Sequence, residues 1–221
     1  MLPTLLLAAA ALTAPQDVIR GPSFDCTAAF AAVEQAICSD AQLAALDVQL
    51  GERYAAVRRA LPAGARAALR DDQRWFLGAR DEWFGNRDHP GFSEFPDLAE
   101  RMAGRIEFLE SVRTEPADRL TGVWSNLAGE VLVMPADGGR WRVEVTAAHP
   151  VNARWICEVG GAGRIVDGVL TVVADEASEW RIQARLRRGF LELVETGPGA
   201  AADRPYCGHN GFVAGAYFRS R

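Results

Sequence analysis

Apolar residues along this chain follow two different periods, and the change falls near its middle. From Ser39 to Leu61 they are Leu43, Leu46, Leu50, Tyr54, Val57 and Leu61, at steps of three or four. That spacing gathers them on one face of a helix. Ser39 and Gln42 offer a capping box at its start, and Pro62, Ala63 and Gly64 break it. A second helical stretch is predicted from about Arg66 to Phe84, with Leu69, Phe76, Leu77 and Trp83 inward. A polar, turn-rich insert from Gly85 to Phe95 follows it. A third helix is predicted over Asp97 to Val112, with Leu98, Met102, Ile106 and Leu109 on one face. Short connections make such helices antiparallel neighbours in a small bundle.

Arg113 to Arg119, with Pro116 inside it, reads as a linker, and beyond it the period becomes two. Trp141, Val143 and Val145 alternate with Arg142 and Glu144. Trp180, Ile182, Ala184 and Leu186 alternate with Arg181, Gln183 and Arg185. Asp137-Gly138, Asp167-Gly168 and Arg188-Gly189 punctuate these runs as hairpin turns do. Roughly eight short strands are expected, and they close most naturally as a barrel or a sandwich. The predicted fold class is therefore α+β in two segregated domains. The boundaries are a helical domain over 22–112, a linker over 113–119 and an all-β domain over 120–221.

The first residues fit neither period. Leu5 to Leu12 is a continuous apolar run followed by Thr13, Ala14 and Pro15. It is too short for a membrane span, which needs roughly 20 apolar residues. It fits the apolar region of a signal peptide over residues 1–14, although no basic residue precedes it. Four cysteines support export: Cys26, Cys38, Cys157 and Cys207. No C-x-x-C occurs, and an even cysteine count behind an export signal favours disulfides in an oxidising compartment. Among the possible pairings, Cys26–Cys38 and Cys157–Cys207 are favoured because each stays inside one domain.

Composition narrows the function. The net charge is −5, which speaks against a nucleic-acid partner. Residues 15–119 hold 18 acidic and 13 basic side chains, whereas residues 120–221 hold 11 of each, so the acidity belongs to the helical half. All 24 basic residues are Arg, which reads as coding bias of a GC-rich bacterial genome. The sequence contains no G-x-S-x-G, H-E-x-x-H, P-loop or G-x-G-x-x-G motif. His89, His149 and His209 are scattered, and no carboxylate spacing singles out an acid/base pair. His209 follows Cys207 closely, but a cysteine already in a disulfide is no metal ligand. The expectation is a non-enzyme with no cofactor and no metal. Arg181, Arg185 and Arg187 read as a solvated sheet face, and Trp141 and Trp180 as barrel core.

The helical half carries a motif. Residues 26–54 read CTAAFAAVEQAICSDAQLAALDVQLGERY, residues 73–81 read QRWFLGARD, and Arg105 opens RIEFL. This resembles the N-terminal domain of the LprI-type lysozyme inhibitors, small exported helical domains. Cys26, Glu34, Ile37, Cys38, Leu43, Leu46, Asp47, Tyr54, Gln73, Trp75, Arg80 and Asp81 fall on the family pattern. One departure is a second cysteine pair that the family carries after the R-D step. Trp83 stands near the first of those positions, and no cysteine occurs between Cys38 and Cys157.

The resemblance implies a periplasmic or secreted inhibitor of lysozyme or another cell-wall hydrolase, with that hydrolase as partner. An envelope structural or ligand-binding module is the alternative. The motif residues Asp47, Tyr54, Gln73, Trp75, Arg80 and Asp81 are read as structural, since buried polar groups are usually satisfied internally. An ion pair between Asp47 and Arg80 and a hydrogen bond between Gln73 and Tyr54 are the expected forms. Neither the oligomeric state nor a ligand of the β half follows from the sequence.

Overall fold

A computed structural model describes residues 21–92, 94–115, 119–175, 177–198 and 204–220. The signal peptide expected over residues 1–14 lies outside them, as does the middle of the 113–119 segment. Among the described residues there are four α-helices followed by eight β-strands in a closed antiparallel barrel. None of the helices is long and apolar enough to cross a membrane.

The helices start where side chains satisfy their first amides. A single 3-10 turn, Cys26–Ala28, precedes α1, Ala32–Ser39. The Glu34 carboxylate reaches back to the amides of Phe30 and Ala31 at 3.1 and 3.2 Å. The Cys26–Cys38 disulfide staples that turn to the end of α1. Helix α2, Ala41–Ala60, is capped by Asp40, whose side chain accepts from the amides of Gln42 and Leu43. The expected cap at Ser39 is thus displaced by one residue. The extended backbone at Asp40 separates α1 from α2, and the carboxylate there reaches both orphan amides. Arg58 and Arg59 sit in the last turn of α2, where its carbonyls point. Helix α3, Ala63–Asn86, begins after Pro62. Helix α4, Leu98–Ser111, opens with a reciprocal capping box between Asp97 and Glu100.

Strands β1 (Gly122–Ser125), β2 (Gly129–Ala136), β3 (Arg140–Ala148) and β4 (Ile156–Val166) pair in sequence order. They continue into β5 (Val169–Ala174), β6 (Ala177–Arg187), β7 (Phe190–Thr196) and β8 (Gly215–Arg219). Pairing of Trp124 with Arg219 and of Ser125 with Phe218 closes the ring. Asp167 and Gly168, at φ 51° and 76°, make the two-residue turn of the β4–β5 hairpin. Along β4, a Cβ on Gly163 would stand 1.8 Å from the Thr171 carbonyl oxygen, so only glycine lets β5 approach there. Inward residues fill the barrel: Trp124, Val131, Val145, Leu170, Ile182 and Leu191 are all buried. The Cys157–Cys207 disulfide ties β4 to the connection that leads into β8. The enclosed side chain of Glu195, 2% exposed, braces the same connection. Its carboxylate accepts from the Tyr206 hydroxyl and from the amides of Val213 and Ala214, and pairs with Arg204.

The helices and the barrel share a buried boundary. Phe218 of β8 is fully buried among Leu50, Leu69, Ile106 and Leu109 of the helices. Val151, in the β3–β4 loop, packs with Val33, Ile37 and Met102. The Arg113 amide, just past α4, donates to the Arg219 carbonyl at 2.8 Å.

Candidate functional site

Of the motif residues read as structural, Asp47 and Tyr54 lie on α2 and Gln73, Trp75, Arg80 and Asp81 on α3, whose inner side faces α4 and the barrel. Helical spacing brings Phe76, Ala79 and Arg80 of α3 onto one face, and Arg101, Gly104, Arg105 and Phe108 of α4 onto another. Between these faces lies a cleft of about 290 Å³, closed on the barrel side by Asn126, Leu127 and Pro150.

Arg105 is the most enclosed charge in the cleft. Its Nε donates to Gln73 Oε1 at 2.9 Å, and its Nη1 lies 2.7 Å from Asp72 Oδ2. The second contact is an ion pair without hydrogen-bond alignment, and among the described residues Nη2 finds no acceptor. The guanidinium also stacks over the Phe108 ring at 4.6 Å. Burial lowers its pKa, opposed by the Asp72 carboxylate. Asp72 uses its other oxygen to accept the Leu127 amide at 3.0 Å, so one side chain joins α3, α4 and the barrel.

Arg101 works differently. Its Nε donates to the Pro96 carbonyl, and Nη1 and Nη2 donate to the carbonyls of Pro150 and Val151 at 2.9 and 2.8 Å. Its guanidinium covers the Trp83 ring at 4.6 Å. Among the described residues, no carboxylate pairs with it. Desolvation pushes its pKa down to about 10.

The expected Asp47–Arg80 ion pair does not form. Asp47 Oδ2 accepts from the amide and the hydroxyl of Ser23, at 2.7 and 2.6 Å. Arg80 pairs with its neighbour Asp81 at 2.8 Å. Both groups find partners nearer than each other: the segment before Cys26 docks on α2, and adjacent side chains pair along α3. The Gln73–Tyr54 hydrogen bond is also replaced, because Gln73 serves the buried Arg105, a stronger donor. Tyr54 lies partly buried in the helical core. Trp75 faces the barrel, stacked on Phe212 with ring centroids 5.9 Å apart, and Phe212 in turn meets Trp155. The insert is less polar in space than in sequence. Phe92 and Phe95 pack against the cluster around Trp83 and Leu98, and the Trp83 indole N–H donates to the Phe92 carbonyl. Asp72 and Arg101 escaped the sequence reading. Their signals were slight: an acid beside Gln73, and an Arg one helical turn before Arg105.

Among the described residues, no group of three or more His, Cys, Asp and Glu side chains is placed to hold a metal.

Residues 26–111 match the family model of lysozyme inhibitor LprI. The LprI match takes in the first disulfide and every motif residue from Cys26 to Asp81, together with Arg101 and Arg105 of the cleft. No family is assigned to the barrel half. No curated protein and no solved structure matches the chain.

Proposed function

We propose that the chain acts outside the cytoplasm as a non-catalytic inhibitor of lysozyme or a related cell-wall hydrolase, and that its helical half makes the contact. The observation that carries this reading is the LprI match over residues 26–111. The two disulfides agree with an oxidising compartment. Charge supports it as well. Animal lysozymes are basic, with two carboxylates in the cleft, and the acidic surplus of this chain lies on the helices. Asp71 and Asp88 have side chains 63% and 90% exposed and only long ion pairs, 3.4 to 3.9 Å, to neighbouring arginines, which a basic partner can replace.

A turbidity assay tests it. The exported chain, mixed with a basic lysozyme and a suspension of lysozyme-sensitive cells, slows clearing in proportion to its concentration. Unchanged clearing at large molar excess, for several hydrolases, overturns the inhibitor reading. The second reading, an envelope module that binds a ligand, is favoured by the arginine-lined cleft between helices and barrel.

A further inference from the structure

We propose that the cleft between α3, α4 and the barrel loops binds a small oxyanion, a carboxylate or a phosphate, carried on an apolar body. Three independent features converge there.

The first is charge. Arg80, Arg101 and Arg105 line the cleft, and two carboxylates, Asp72 and Asp81, pair with two of them. The Arg101 guanidinium donates to three main-chain carbonyls, which carry dipoles and no compensating charge. A half-buried guanidinium without a counter-ion favours an anion beside it.

The second is an unused donor. Arg105 is 3% exposed, yet among the described residues its Nη2 makes no hydrogen bond. A buried donor left unsatisfied is costly, and a small turn of the Arg105 guanidinium towards the cleft would let an oxyanion there supply the acceptor it lacks.

The third is shape. Gly104 lies inside α4, where glycine destabilises a helix relative to alanine. Its packing gives no reason for glycine, because a Cβ there would meet no atom within 4 Å. Any larger residue at 104 would project into the cleft that Gly104 leaves open. Phe76, Phe108 and Leu127 supply apolar walls, which suit the body of the ligand rather than its charge.

The test follows the arginines directly. The full exported chain, with arginine side chains labelled with ¹⁵N, is titrated at constant ionic strength with benzoate and, separately, with inorganic phosphate. The Nε–Hε signals of Arg80, Arg101 and Arg105 shift saturably, while those of exposed Arg142 and Arg187 do not. Saturation by benzoate alone identifies a carboxylate ligand, and saturation by phosphate alone a phosphate. Gly104→Leu fills the cleft without removing a pairing group and replaces a poor helix former, so it keeps the parent unfolding temperature and loses the saturable shifts. Arginine signals that drift together without saturation overturn the proposal, as does a Gly104→Leu variant that binds like its parent. If that variant is less stable than its parent, the titration of the unaltered chain alone decides. The result is independent of the turbidity assay, so the anion site and the inhibitor role stand or fall separately.

Discussion

Arg105 of α4 and Asp72 of α3 stand 2.7 Å apart with side chains only 1% and 6% exposed. Their pairing sits where α3, α4 and the β1–β2 loop meet, since Asp72 also accepts the Leu127 amide. Removing one member leaves the other charged and buried. Arg105→Met is expected to destabilise the chain by about 3–5 kcal/mol. Replacing both by apolar residues recovers only part of this, because the Leu127 amide stays unpaired. Urea midpoints of the two variants check it, and a single variant within 1 kcal/mol of the parent, about the typical effect of any point change, contradicts the assignment.

Phe218 belongs to a barrel strand but lies in the helical core. Phe218→Ala is expected to cost about 3–5 kcal/mol through lost burial and the cavity left behind. Both halves border that cavity, so helical and barrel signals move to lower urea together. Far-ultraviolet circular dichroism follows chiefly the helices, and tryptophan fluorescence chiefly the barrel half, which holds four of the six Trp residues. A barrel transition that shifts while the helical one stays fixed would show that the halves unfold separately.

His149 gives a pH dependence. Burial, aided by nearby Arg154, lowers its pKa, and its Nδ1 accepts the Val151 amide as a neutral imidazole can. In the unfolded chain the imidazole takes up its proton near pH 6.5. The unfolded state therefore binds more protons below that value, and stability falls as pH drops through it, while above it the contribution is complete. The parent should lose more stability than His149→Gln between pH 7.5 and about 5.5, a window set by the ordinary His value. Equal losses in the two proteins would exclude His149 as the source.

Cys157 and Cys207 are 50 residues apart in sequence and join β4 to the segment before β8. Replacing both by Ser is expected to lower stability by about 2–5 kcal/mol, chiefly because the unfolded chain regains freedom. Denaturation with and without reductant measures it, and parent and variant should converge once the parent is reduced.

If charge steers the helical half onto a basic hydrolase, association slows as salt rises, since the Debye length of about 10 Å at 0.1 M shrinks with ionic strength. Reversing exposed Asp71 and Asp88 to Arg should slow it further at low salt and leave the unfolding temperature unchanged. Stopped-flow association rates decide this. Rates indifferent to both salt and reversal would place the contact away from these carboxylates.

By itself the sequence determined the element types and their order. Leu43 to Leu61 declared a helix, Trp180 to Leu186 a strand, and Asp167-Gly168 a turn, because period and turn chemistry are local properties of the chain. The same local logic carried the cysteine pairing and the LprI resemblance of residues 26–111, which rests on spaced residues along one segment. Helix α1 escaped, since eight residues with two buried side chains are too few to show a period. Closure of the sheet as a barrel rather than a sandwich depended on β1 meeting β8 across the whole domain. Which charge pairs with which was also a tertiary matter. Asp47 had several basic candidates and took Ser23, while Arg105 took Asp72 and Gln73, because partner choice depends on burial and approach that no spacing along the chain records. The cleft is of the same kind. Its arginines come from two helices and its far wall from barrel loops, and only their packing together makes one site.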